Sequence, residues 1–540
     1  MSSNRFLLLL VTTSLYVVAT GLLTPNLAAQ PPRSAPDLTR ELSRPNVIIM
    51  MADDMGMGDT SAYQDITGNS DEVQVKTPAM EQLARMGIRF TDAHAPSSRC
   101  TATRQALLTG RYTWRTRLKY SVLWSPAGDP LIEPTRPTLA TLLKEHGYGT
   151  GMTGKWHCGL TYRTANGQPT SDYSQVELKQ GIADGPLQHG FDFFHGTSRS
   201  HPTSDLQGWL FGDRVVAAIG GQKVDESQYV LDQTGPKNYE MAMQFLDGHL
   251  ASNDASEKPF FLYYACHSNH LSHDPCVEIA GRPVRGASQP GGKRSDFIFE
   301  NDVALGLLLE FLQRTPDPRT AGAKLIENTL VIFTSDNGAE TPKKTATGPF
   351  RSNKASIYEG GHRVPFIATW PAGGIGDGKP NTPGQTSQFP ICHVDLFATL
   401  AEIVGASLDE RAAEDSFSIL AALRGNPPSQ RTPILHNDHK EGTGSKPENS
   451  PEAAWLAIRI DNPVVAGNKV SGQWKLFIDH HLLMGDEQVN VKELYELASD
   501  PQEKSNRIND PQLQELVQHM AHEVRSIHDR GGIRIQATPN

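Results

Sequence analysis

Cysteine is scarce in this chain: 540 residues hold 5, scattered and without a Cys-x-x-Cys pair. That excludes a disulfide-built scaffold and disfavours a structural zinc site. Whether Cys158, Cys266, Cys276 and Cys392 form zero, one or two bridges is open. Positive charge is not in excess either, since 50 basic against 60 acidic residues leave a formal −10. General nucleic-acid binding is therefore not expected, and any anionic ligand must be met by local cations. Internal repeats are lacking, and a single apolar run approaches membrane-spanning length. That run, from Phe6 to about Leu23, follows Arg5 and precedes Asn26-Leu27-Ala28-Ala29, the pattern of a secretory signal over residues 1–29. An uncleaved anchor is the rival reading. Thr12, Thr13, Ser14 and Thr20 and the Ala-Ala tail favour cleavage, with no stable membrane insertion afterwards. Residues 30–44, rich in Pro, Ser and charge, read as a flexible lead-in. The expected location is secreted or periplasmic.

What is present is a large α/β pattern. Asn46-Val47-Ile48-Ile49-Met50-Met51-Ala52 is a continuous apolar run that closes on Asp53 and Asp54, as a buried parallel strand would. Similar runs occupy 260–265, 329–334 and 364–370, with helical periodicity over 78–86, 296–312 and 394–404. The alternation predicts a mainly parallel central sheet flanked by helices over residues 45–428. Residues 429–540 carry short strand patterns at 455–459, 473–478 and 493–497 and a helix over 511–527. They read as a smaller α+β C-terminal subdomain with a short antiparallel sheet.

Functional residues of open α/β sheets gather at the carboxyl ends of strands. Asp53-Asp54 ends the first strand, and Ser335-Asp336-Asn337-Gly338 follows another. Each alone is also what a solvated acid or an Asp-Asn-Gly turn looks like. Together they offer three carboxylates and an amide oxygen, hard ligands suited to Ca²⁺ or Mg²⁺. Arg104 lies one helical turn beyond Cys100, so the two share a face near helix N-terminal amides that favour anions. Gly154-Lys155-Trp156-His157 marks a strand giving way to a loop, and 260–265 runs into the turn Cys266-His267-Ser268-Asn269-His270.

The run Cys100-Thr101-Ala102-Thr103-Arg104-Gln105-Ala106-Leu107-Leu108-Thr109-Gly110-Arg111 resembles the type I sulfatase signature, with Ala102 where Pro is usual and Thr103 where Ser is usual. Gly154-Lys155-Trp156-His157, the segment from Lys354 through Tyr358-Glu359-Gly360-Gly361-His362-Arg363-Val364-Pro365, Glu493-Leu494-Tyr495 and residues 500–506 resemble further segments of that family. The resemblance thus runs from Pro45 nearly to the C-terminus. It implies an alkaline phosphatase-like fold and a sulfuric ester hydrolase whose leading Cys100 is oxidised to formylglycine by a maturation enzyme. One hydroxyl of the aldehyde hydrate would attack sulfur, and deprotonating the other would expel sulfate by C–O cleavage, a route closed to a serine.

The family's roles, carried over residue by residue, make Asp53, Asp54, Cys100, Asp336 and Asn337 ligands of a divalent cation, usually calcium, with magnesium as the other possibility. Lys155, His270 and Lys354 would clamp sulfate, and His270 with Lys354 would assist the leaving oxygen. Arg104 would hold the nucleophile and metal ligands, Asp336 would activate the attacking hydroxyl, and His157 would take the second proton. His267 is close enough to His270 that their roles stay interchangeable. His273 reads as supporting or exposed, while Tyr358, Glu359, Arg363, His393 and Asp395 read as structural. The implied substrate is a sulfated small molecule or saccharide. Two other readings are a phosphomonoester or phosphonate hydrolase of the same superfamily and a non-catalytic sulfated-glycan binding protein.

Overall fold

The computed structural model describes residues 44–67, 75–124, 128–199, 208–216, 230–440 and 453–534. The expected leader, and all of the lead-in but Arg44, lie outside them. The central sheet comprises β1 (Asn46–Ala52), β2 (Ile88–Phe90), β3 (Gly149–Lys155), β4 (Phe193–Thr197), β5 (Leu210–Phe211), β6 (Arg214–Val215), β7 (Phe260–Ala265), β8 (Thr329–Ser335), β9 (Phe366–Thr369) and β10 (Gln385–Ser387). Their spatial order is β6-β5-β4-β3-β7-β1-β8-β9-β2-β10. The five strands β4-β3-β7-β1-β8 are mutually parallel.

Burial on both faces explains why β1 lacks the alternation of a half-exposed strand. The helices that supply this burial are α1 (Pro78–Met86), α2 (Cys100–Thr109), α3 (Leu139–Glu145), α4 (Thr234–Leu250), α5 (Lys293–Arg314) and α6 (Asp395–Val404). Val47, Ile49 and Met51 pack with Leu107 and Leu108 of α2, Leu139 of α3 and Leu400 of α6. Ile48 and Met50 pack on the other side with Met80 of α1, Leu246 of α4 and Leu305 of α5. The segment expected to join the parallel set at 364–370 runs antiparallel instead, as β9 paired to β8 and β2. An apolar run reports burial, which both directions share, and is silent on direction.

A second sheet follows, β11 (Ile434–His439), β12 (Ala454–Asp461), β13 (Gln473–Ile478) and β14 (Val491–Glu496), antiparallel throughout. It packs with α7 (Gln514–Asp529), which a 3₁₀ turn at Pro511–Leu513 precedes. Its core shares one cluster with Ala106 of α2 and with Tyr112 and Trp114 beyond it. The Leu435 amide donates to Tyr112 Oη (3.0 Å), and Asn437 bridges Ser97. The described residues accordingly form one compact unit. All five cysteines are free, buried thiols.

Where the two sheets meet, His94, His362 and His436 are buried together. The His362 and His436 rings stack at 3.7 Å, and His94 Nδ1 lies 3.1 Å from His362 Nδ1. Around them Asp92 pairs with Arg459 and Arg363, and Lys475 with Glu359 and Glu503. Burial, helped by Arg363, pushes His94 down to about 4. The unfolded chain protonates this ring below about pH 6.5, while the folded chain stays neutral until about pH 4. Its contribution to stability is thus fully present above pH 6.5 and declines as pH falls through that window, by roughly 3 kcal/mol. Melting curves of wild type and His94→Asn should diverge most above pH 6.5 and draw together toward pH 4; a constant separation would refute this.

Candidate active site

The carboxyl ends of the parallel strands converge on one buried pocket. Asp53 and Asp54 follow β1, Asp336 and Asn337 follow β8, Lys155 closes β3, and the His267–His270 turn leaves β7. Cys100 is the first residue of α2, whose N-terminus opens on the same pocket. Asp53, Asp54, Arg104, Lys155, Asp336 and Asn337 are each at most 1% exposed, and Cys100 is 2% exposed. Ligand atoms of Asp53, Cys100 and Asp336 lie within 4.8 Å of one another.

Three cations hold the three carboxylates. Lys155 Nζ donates to Asp53 Oδ2 (2.6 Å) and stands 3.8 Å from Asp336 Oδ2. Arg104 grips Asp336 Oδ2 through Nε (3.0 Å) and Nη2 (2.8 Å), and its Nη1 donates to the Lys155 carbonyl (3.1 Å). Lys354 Nζ donates to Asp54 Oδ2 (2.5 Å), with His270 Nε2 3.9 Å from the same oxygen. Burial, reinforced by Asp53, pushes Asp336 up to about 6 against the pull of Arg104 and Lys155. Burial would also raise Asp54, but Lys354, His270 and Lys155 outweigh it and hold that carboxyl below its usual range. Burial raises the Cys100 thiol. As an unmodified cysteine it is a poor nucleophile here, since reactivity follows the thiolate.

A hard cation suits this donor set. Asp53 Oδ1 and Asn337 Oδ1 are buried with no hydrogen-bond partner among the described residues, and the oxygen donors of Asp53, Asp54, Asp336 and Asn337 match what Ca²⁺ or Mg²⁺ takes. Backbone geometry keeps them in place. Asp54 (φ 63°) and His157 (φ 55°) adopt left-handed conformations unusual for non-glycine residues, a strain that clusters at functional sites. A side chain at Gly338 would meet the Gly360 carbonyl at 2.0 Å. That close approach docks the Asp336-Asn337 turn on the Gly360-Gly361 segment, where the Gly338 amide donates to the Gly361 carbonyl (2.8 Å).

The histidines differ in what they can do. His157 Nε2 must donate to the Leu123 carbonyl (3.1 Å), which leaves Nδ1 as a buried lone pair without a partner among the described residues. His270 Nδ1 donates to the Leu271 carbonyl (2.5 Å), so the neutral ring presents an acceptor at Nε2. Burial and Lys354 push His270 down to about 3. His267 Nε2 instead meets Thr197 Oγ1 (2.7 Å). The structure thus places His270, not His267, beside Lys354 and Asp54. His273 pairs with Glu340 (3.2 Å). Tyr358 donates to Glu493 (2.7 Å), Glu359 accepts from Lys475 and Arg363, His393 meets Thr334, and Asp395 pairs with Arg431. These contacts brace the structure around the pocket.

Against known proteins, the family model described as Sulfatase matches residues 45–406. The chain belongs to the sulfatase family. It is therefore an enzyme, a sulfatase hydrolase. This sulfatase is 28% identical to the N-acetylgalactosamine-6-O-sulfatase of Bacteroides thetaiotaomicron over 90% of its own length and 94% of that relative. It is 33% identical to human arylsulfatase A over 72% and 70% of the two chains. A solved Bacteroides thetaiotaomicron sulfatase, studied in connection with the metabolism of multiple glycosaminoglycans, superposes with a TM-score of 0.67 at 25% identity. That match covers 90% of this chain and all of the other. Among the described residues, no helix is long and apolar enough to cross a membrane.

Several supports were not read from the sequence. The Ser268 carbonyl accepts from the Asp53 amide (2.9 Å), and the Asn269 amide donates back to the Asp53 carbonyl (2.6 Å). Behind them, Ser268 Oγ donates to Glu300 (3.1 Å), and Asn301 Nδ2 donates to the Ser268 carbonyl (3.1 Å). An acid and an amide inside the buried stripe of α5 were the available signal. Asp438, from β11, accepts from Ser98 and from Arg99 Nε (3.2 Å), just ahead of Cys100.

Arg104 makes both direct cationic hydrogen bonds to Asp336, so Arg104→Gln should leave that buried charge with only the more distant Lys155 ammonium. Roughly 3–5 kcal/mol of stability should be lost, read by chemical denaturation, together with sulfate-ester turnover. Arg104→Lys should recover part of the stability. A Gln variant of native stability would show that the pair is not what neutralises Asp336.

Proposed function

We propose that this sulfatase removes sulfate from a carbohydrate, using Cys100 matured to formylglycine and a bound divalent cation, calcium or magnesium. The observation that carries the reading is the convergence of Cys100, at the head of α2, with three carboxylates and three cations in one largely buried site. The carbohydrate assignment is supported by the relative named as an N-acetylgalactosamine-6-O-sulfatase, and by the expected leader, which would suit secreted or periplasmic work on extracellular sugars.

Asp53, Asp54, Asp336 and Asn337 would hold the cation, which when bound lowers the pKa of a coordinated hydroxyl and offsets anionic charge. The hydrate of formylglycine would supply the attacking hydroxyl. Lys155, Lys354 and the α2 N-terminus bind the sulfate oxygens, the lysines as point charges and the helix through its free amides. Arg104 fixes Asp336, whose carboxylate lies within 4.8 Å of Cys100 Sγ and would receive a proton from the attacking hydroxyl. The unpartnered Nδ1 of His157 would receive the second. Lys354 donates toward the leaving oxygen. A sulfate ester bound beside His270 favours its protonated ring, which then donates from Nε2.

Mass spectrometry of the peptide spanning residue 100 should show an aldehyde in place of the thiol, and Cys100→Ala should abolish release from 4-nitrophenyl sulfate while keeping the fold. A fully active preparation with an intact thiol would sink the mechanism, and faster release from 4-nitrophenyl phosphate would favour the phosphatase reading. Removing the cation with a chelator should lower both activity and melting temperature, with recovery on adding Ca²⁺. At a hundredfold excess over Kd, binding to the folded state alone is worth about 2.7 kcal/mol. An unchanged melting temperature would argue against the site.

A further inference from the structure

Large apolar side chains that remain exposed are few among the described residues: Trp124, Tyr173, Val230, Leu271, Val277, Val464 and Met484. Singly they need no explanation. Two of them, however, border the two histidines of the pocket. Trp124, 47% exposed, follows Leu123, whose carbonyl receives His157 Nε2 (3.1 Å) and whose amide donates to Thr101 Oγ1 (3.2 Å), one residue from Cys100. Leu271, 56% exposed, follows His270 and supplies the carbonyl that receives its Nδ1. Arg199 donates to the Trp124 carbonyl, and its neighbour Ser198 accepts from the His157 amide (2.9 Å). The backbone beneath Trp124 is thereby tied to the nucleophile's helix, to His157 and to the loop after β4. The indole is thus exposed on a backbone that is fixed one residue from the His157 contact.

The groups gathered around Cys100 are carboxylates and cations, which offer no apolar contact. The apolar part of whatever carries the sulfate therefore needs partners beyond these charged groups. A pyranose ring offers an axial C–H face that a large aromatic covers well, with its hydroxyls left at the edge for polar partners. We propose, on the basis of the carbohydrate-sulfatase reading, that Trp124 is the platform for the sugar that bears the sulfate, with Leu271 as a second apolar contact and Arg199 fixing the platform's backbone. These residues set affinity for the saccharide and leave the sulfate clamps untouched.

The test uses the full-length, matured, cation-loaded enzyme. The probe is whichever monosaccharide the unaltered enzyme turns over fastest in a panel of hexose and N-acetylhexosamine monosulfates. Trp124→Ala should lower kcat/KM for it roughly 10- to 100-fold, mainly through KM, the loss expected for one buried aromatic contact. Trp124→Phe should restore most of it, and Leu271→Asn should give a smaller loss in the same sense. Inhibition by inorganic sulfate and the melting temperature should stay unchanged in all three. Unchanged kcat/KM in Trp124→Ala overturns the proposal. So does a loss matched by weaker inhibition by inorganic sulfate, which would make Trp124 a prop for His157. An enzyme that cleaves 4-nitrophenyl sulfate but no member of the panel fails earlier, at the carbohydrate reading itself.

Discussion

Everything in the pocket depends on charges that have been taken out of water together. Three carboxylates with Arg104 and Lys155 are almost wholly inaccessible, Lys354 stays partly exposed beside them, and each buried charge would cost several kcal/mol if buried alone. They persist because each is matched at hydrogen-bond distance, Asp53 by Lys155, Asp336 by Arg104 and Asp54 by Lys354. Such an array is stable only when its geometry is enforced from outside, and the surrounding structure supplies that enforcement. The parallel strands deliver the carboxylates and Lys155 from one edge of the sheet, α2 delivers Arg104, and the Gly360-Gly361 segment seats the Asp336-Asn337 turn. An anionic ester entering the site meets donors already oriented toward it, which is how preorganised charge accelerates a reaction without reorganisation cost.

The second sheet belongs to the same constraint. Its first strand, β11, contributes Asp438 to Ser98 and Arg99 immediately before Cys100, and its core continues into the side of α2. The buried histidine stack and the ion pairs of Asp92, Glu359 and Lys475 sit at this seam. The helix carrying Cys100 is thus wedged between two sheets, fixed by apolar packing on both sides. Its first turn cannot drift relative to the carboxylates of the site.

Much of this was legible in the sequence where the signal is local. The apolar run of β1 ending on two acids, the amphipathic helices and the motif residues around Cys100, Lys155, Asp336 and Lys354 could all be placed in order, because strand ends and helix caps are written in adjacent residues. Pairing between remote segments was not legible. The contact of Asp438 with Ser98 spans 340 residues and leaves no trace in either neighbourhood, and the antiparallel course of β9 has the same composition as a parallel strand. Glu300 and Asn301 went unread for a different reason. Helical periodicity marks the buried face of α5 but gives no hint that part of that face meets a polar loop instead of core. The histidine assignments divide along the same line. Resemblance assigned the role to His270 with His267 as the alternative, and the direction in which the chain leaves β7 sets His270, not His267, beside Asp54.

The wedged position of α2 also has a consequence in time. Cys100 is 2% exposed, and the strand that helps to close the chain around it, β11, lies more than three hundred residues downstream. Chain growth at about 5–20 residues per second would place synthesis of β11 tens of seconds after that of Cys100. Any external catalyst that must grasp the Cys100 segment, as the oxidation proposed here requires, has that interval in which to work. The folded protein offers it no second opportunity short of unfolding.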